Sequence, residues 1–256
     1  MIESVWEHSA QKQIGKKAIQ LEENNHSRLF SDQLNTSLAN DKEKKFDQPP
    51  ATVYGPNFVN KQLNDTDISY VLKHFQPSHS HKVLFLSNNN LTDNGLIELI
   101  NTLKHDTKIQ HMILSHNHLC LTEFAKAALA DLLKVNHYIG WLVLNGNNIG
   151  DEGAHVLGEA LSENKGIKHL VLSNNNISDS GLKAILTHLT QHPTLESIYI
   201  ANNKLTEAVY KDILTFIRTN KHIKRLDLRN NQLSETPLLT EIKKVCSLKN
   251  IQLKIN

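Results

Sequence analysis

Cysteine is scarce in this 256-residue chain: Cys120 and Cys246 alone cannot build a disulfide framework. Proline (6) and glycine (10) are also sparse, which excludes collagen-like and Pro/Gly-rich low-complexity chains. Aromatics make up 5 %, too few for a surface that reads bases or sugars by stacking. Charge of one sign is missing as well. The 28 Lys+Arg against 26 Asp+Glu leave +2, without the basic excess of a nucleic-acid binder. No uncharged apolar run approaches the roughly 20 residues of a membrane span. Residues 1–17 contain no apolar stretch like that of a secretory signal. These absences predict a cytoplasmic chain that binds no nucleic acid and inserts into no membrane.

What is present is a repeat. Lys82–Leu91 and Lys168–Ile177 match at most positions, and the same frame recurs at Ile109–Leu119, Ile139–Ile149, Leu195–Leu205 and Ile223–Leu233. Asn89, Asn117, Asn147, Asn175, Asn203 and Asn231 follow one another at spacings of 28, 30, 28, 28 and 28. Before each stands an apolar pair: Leu84/Leu86, Met112/Leu114, Leu142/Leu144, Leu170/Leu172, Ile198/Ile200, Leu226/Leu228. Alternation with period two places both members of a pair on one side of a short strand. An Asn amide at the strand exit can satisfy turn backbone groups that would otherwise be buried unpaired. The rest of each unit has helical periodicity, as in Leu182, Ile185, Leu186 and Leu189. Gly95, Gly153 and Gly181 occupy one equivalent position, expected just before the helix.

This L-x-x-L-x-L-x-x-N-x-L pattern is that of leucine-rich repeats. The period of 28 with a full helix resembles the ribonuclease-inhibitor-like subclass. The resemblance implies an α/β horseshoe with parallel strands on the concave face and helices on the convex face. It covers 51–256: a degenerate capping repeat over 51–80, six full repeats over 81–247, and a terminal strand within 248–256. Residues 1–50 carry two weak helical patterns, then a polar stretch and Pro49-Pro50. They are expected to form a helical cap or a partly disordered segment, the alternative being a separate docking segment.

No nucleotide-binding glycine motif, zinc-protease motif, C-x-x-C pair or calcium loop is present. His111, His116, His118 and Cys120 cluster in sequence, but strand and turn positions scatter them, so surface histidines are preferred to a metal site. No catalytic residue and no cofactor are expected. The two cysteines fall four strands apart, too far to pair.

The residues between the core leucines face the concavity. The central column reads Phe85, Ile113, Val143, Val171, Tyr199, Asp227 and Gln252. The column before it reads Val83, His111, Trp141, His169, Ser197, Arg225 and Asn250, and the one after it ends in Arg229 and Lys254. The five apolar central residues span about 19 Å of strands. They are expected to form an exposed stripe of the kind that docks a protein partner. Trp141 and Tyr199 are residue types that dominate interfaces, His111 and His169 flank Trp141, and Arg225 and Arg229 lead a basic C-terminal end suited to an acidic segment. A monomeric, non-enzymatic interaction module is the resulting expectation. In style, with much Asn, Lys and His and little Gly, the chain is similar to small leucine-rich-repeat effectors of intracellular bacterial pathogens. That resemblance implies export into a host cell without a cleaved signal and a host protein as partner. Two alternatives come with the repeat class: a small-GTPase regulator like the Ran-activating proteins, whose acidic C-terminal tail is absent here, and an actin-capping protein like tropomodulin, which Phe124–Asn136 resembles.

Overall fold

A computed structural model describes residues 51–52, 55–75 and 82–255. The expectations for residues 1–50 fall outside these. The described chain begins with a short antiparallel pair, β1 (Ala51–Thr52) and β2 (Gly55–Pro56). A 3-10 turn over Asp65–Asp67 and helix α1 (Ile68–His74) follow. Strand–helix units then alternate: β3 (Val83–Phe85), α2 (Asp93–Leu103), β4 (His111–Ile113), α3 (Glu123–Val135), β5 (Trp141–Val143), α4 (Gly150–Leu161), β6 (His169–Val171), α5 (Asp179–Leu189), β7 (Ser197–Tyr199), α6 (Tyr210–Thr219), β8 (Arg225–Asp227), α7 (Pro237–Leu248) and β9 (Gln252–Lys254).

Strands β3 to β9 form one parallel sheet in chain order, so each connection is a strand–helix–strand crossover. The register is that of the sequence repeat: Leu84, Met112, Leu142, Leu170, Ile198 and Leu226 lie side by side. Between sheet and helices their side chains meet Leu99, Leu129, Leu157, Ile185 and Ile213 in one continuous buried core. The last strand corrects the expected columns. Arg225 pairs with Gln252 and Asp227 with Lys254, so Lys254 rather than Gln252 closes the central column. Both alignments keep Leu253 on the core side, since they differ by two residues. Hydrophobic pattern therefore could not choose between them, and the backbone bond from the Gln252 amide to the Lys224 carbonyl does.

Three polar ladders join the units. The first is the expected one. Asn203 Nδ2 donates to the carbonyls of Leu172, Ile200 and Ala201, and its Oδ1 accepts from the amides of Asn175 and Ile177. The residue before each ladder asparagine is left-handed: Asn88, His116, Gly146, Asn174, Asn202 and Asn230 all have φ between 53° and 66°. Asparagine tolerates that region better than other side chains, which accounts for the Asn-Asn doublets.

The second ladder runs along the helix starts. Asp65 accepts from the Thr92 amide and hydroxyl, Asp93 from the Cys120, Leu121 and Thr122 amides, Asp151 from Ser178 and Ser180, and Asp179 from Thr206. Gly95 and Gly181 lie inside the first helical turn rather than before it. A Cβ there would sit 2.4 Å from Asp65 Oδ1 and 2.5 Å from Asp151 Oδ1, so these glycines make room for the carboxylates.

The third ladder closes the helix ends: Asp106, Asn136, Asn164, His192 and Asn220 accept from the two amides that lead into the next strand. Asn136, Asn164 and Asn220 also donate back to the unit before them. After Asn220, Lys249 takes the donor role, its Nζ bonding the carbonyls of Ile217, Arg218 and Asn220.

Candidate functional site

The sheet presents one side chain per strand to each column of its outer face. The strand register brings Val83, His111, Trp141, His169, Ser197 and Arg225 into one row, and Phe85, Ile113, Val143, Val171, Tyr199 and Asp227 into the next. Parallel strands lie about 4.8 Å apart, so neighbours in a row touch.

The indole of Trp141 lies between two imidazoles. Its ring centroid is 3.8 Å from that of His169 and 5.9 Å from that of His111, both stacked. Burial lowers His111 to about 4. It lowers His169 to about 3, helped by the positive charges of Arg225 and Lys168. Both rings are therefore neutral near pH 7, and the stack is an uncharged aromatic slab. Nδ1 of His169 is buried and has no hydrogen-bond partner among the described residues.

The expected stripe is less exposed than the sequence suggests. Trp141 retains 8 % of its surface, Tyr199 3 % and Val171 none, and Val143 and His111 are also buried. Contact along the rows is one source of this. Phe85, Ile113, His169, Arg225 and Arg229 are the half-exposed members. Trp141, Val143, Val171 and Tyr199 thus form a floor, with accessible side chains at either end.

The basic C-terminal end is largely engaged within the fold. Arg229 grips Asp227 through Nε and Nη2 at 3.0 and 2.6 Å. Arg225 donates to Tyr199 Oη and Gln252 Oε1, both at 2.8 Å. Lys224 pairs with Glu196 at 3.0 Å, and Lys249 caps α6. These groups are tied to neighbours within the last repeats and leave less free charge than the sequence count implies.

The histidine–cysteine cluster is dispersed. His111 stacks on Trp141, His116 lies over Gly146, and the Cys120 amide donates to Asp93. Among the described residues no three His, Cys, Asp or Glu side chains could share a metal ion. No described helix is long and apolar enough to cross a membrane.

A family model described as "Leucine Rich repeat" matches residues 82–99, 136–158, 163–186 and 219–235. The chain carries leucine-rich repeats. With its seven parallel strands, it is an α/β leucine-rich-repeat solenoid. Similar solved structures include the actin-binding site 2 of leiomodin-1, at 17 % identity and TM-score 0.49, covering 61 % of this chain and 88 % of that one. An internalin of Listeria monocytogenes is similar at 19 % and 0.44, over 68 % of this chain and 47 % of its own. Internalin C2 of the same organism is similar at 19 % and 0.44, over 80 % and 81 %. No curated protein matches the sequence.

Proposed function

We propose that this chain is a non-enzymatic interaction module that binds a partner protein on the strand face of its repeats. The carrying observation is the unbroken apolar row Phe85–Ile113–Val143–Val171–Tyr199 beside the His111–Trp141–His169 stack. Neither row contains a carboxylate before Asp227, which Arg229 neutralises. A preformed, rigid floor costs little ordering on association. The half-exposed Phe85 and Ile113, with His169, Arg225 and Arg229, make first contact. The buried Trp141, Val143, Val171 and Tyr199 hold the floor flat beneath the partner.

The partner chemistry that fits is an apolar segment whose one acidic end lies toward Arg225. We extend the reading to a bacterial effector acting on a host protein, on the composition and repeat type alone. The test is affinity capture from animal-cell lysate with the wild type beside a Phe85→Asp/Ile113→Asp variant. Both positions are half-exposed, so the variant is expected to keep its circular dichroism and melting curve and to lose the captured protein. Equal capture by the two baits contradicts the reading.

A further inference from the structure

Repeat two is built differently from the rest. Cys120 and Leu121 are an insertion between the core residue Leu119 and the helix cap Thr122, which is why Asn117 and Asn147 lie 30 rather than 28 apart. Leu121 accommodates the insertion in a left-handed conformation, φ 56°, with its side chain buried. The helix that follows, α3, has 13 residues, more than any other described helix.

Its outer face is also unlike those of α2, α4, α5 and α6. The exposed residues of α2, α4, α5 and α6 are polar or charged: Asn94 and Glu98, Glu152 and His155, Lys183 and Thr187, Lys211 and Arg218. On α3 they include Phe124, 83 % exposed, with Ala127 and Val135, and Tyr138 stands exposed just beyond the helix. Of the four large apolar side chains most exposed among the described residues, three belong to this one repeat. Phe124 and Val135 are eleven residues apart, close to three helical turns, so they share one stripe about 16 Å long.

The polar residues beside that stripe are arranged symmetrically. Glu123 precedes Phe124 at the start, and Lys134 precedes Val135 at the end; both are exposed. Turning the helix end for end therefore lays Glu-Phe against Lys-Val. We propose that α3 is a self-association surface, at which a second copy of this chain packs its own α3 antiparallel across a two-fold axis. Phe124 meets the second copy's Val135, and Glu123 meets its Lys134, twice by symmetry. Ala127 and Ala128 flank the middle of the stripe on either side, and their small side chains let the helices approach there. Asp131 also lies near the axis, so the two copies of it oppose the contact. One helix face per copy buries under about 1,200 Å² in total, the range of weak, transient complexes. Because α3 lies on the opposite side of the solenoid from the strands, such a dimer leaves both strand faces open. The contact is independent of what they bind.

Sedimentation of the full chain from about 10 µM to about 1 mM tests this, on the scale expected for so small a contact. The expected result is a weight-average mass that rises with concentration and stays monomeric in Phe124→Ser. Glu123→Lys and Lys134→Glu each weaken association by roughly threefold or more, the double charge swap restores it, and Asp131→Asn strengthens it. All these positions are exposed, and unchanged circular dichroism checks that the variants fold. A mass that remains monomeric throughout overturns the proposal. So does association that survives Phe124→Ser or ignores the charge swap.

Discussion

Single residues in this chain are specialised by their place in the repeat, and the exceptions show where stability is lost. At the third ladder asparagine supplies an acceptor and a donor together. His192 supplies only the first: Nδ1 accepts from the Thr194 and Leu195 amides, which places the ring proton on Nε2. That nitrogen is buried without a partner among the described residues, in a side chain 2 % exposed. A buried, unsatisfied donor costs about 1–3 kcal/mol. His192→Asn is expected to restore the missing bond, toward the Leu161 carbonyl by analogy with Asn164 and Asn220. It should raise stability by about 1–2 kcal/mol in urea titration; no gain would mean the ring already finds a partner. The signal was in the sequence, since Asp106, Asn136, Asn164, His192 and Asn220 recur at spacings of 30, 28, 28 and 28. The aspartate ladder also recurs, Asp65, Asp93, Asp151 and Asp179, at spacings of 28, 58 and 28, since repeat two carries Glu123 at its helix start. Both went unread because they lie in the variable helical part of each unit, where polar residues pass for solvated ones. The abundance of asparagine also has a physical cause here, as two of the three ladders and the left-handed turns consume it.

At the scale of the element, strand and helix positions were legible because six units share one frame and every apolar pair keeps its parity. The last strand was not, since a shift of two preserves parity and only backbone bonding decides. Burial on the strand face was not legible either. Sequence shows that Trp141 points outward between His111 and His169; it does not show that the three rings stack and that the indole is buried. This changes what its removal costs. Trp141→Ala leaves a gap between His111 and His169, and the expected loss is about 3 kcal/mol, in the range for buried aromatic truncations. An exposed tryptophan would cost under about 0.5 kcal/mol. The difference is readable as a shift in the midpoint of chemical denaturation, and a shift near zero would show the stack to be ornamental to stability. For the same reason Trp141→Ala is a poor probe of binding, and Phe85 and Ile113 are better ones.

For the whole molecule, the buried histidines tie stability to pH. His111 and His192 are lowered to about 4 and His169 to about 3, chiefly by burial. A histidine with a depressed folded value binds its proton more readily when unfolded. Stability is therefore fully present above pH 6.5 and is lost as pH falls from there toward 4. Asp151 acts lower on the scale. Burial pushes its carboxyl up, but the bonds from Ser178 and Ser180 outweigh this and hold it below 3.8, so its contribution fades only under strong acid. Melting temperature is expected to be flat between pH 7 and 8 and to drop steadily from pH 6.5 to 4, with a shallower drop in His192→Asn. A melting temperature that is level across that range would show these rings to be protonated freely in the folded chain.

The central claim concerns which side of the solenoid meets a partner, and a photo-crosslinker tests it most directly. One copy of the chain carries the reactive side chain at Ile113 on the strand face, another at Lys183 on the exposed side of α5, and both are illuminated in the same lysate. A covalent adduct of one discrete mass from position 113, absent from 183, is the predicted result. The same adduct from 183 with none from 113 would place binding on the helices and contradict the account.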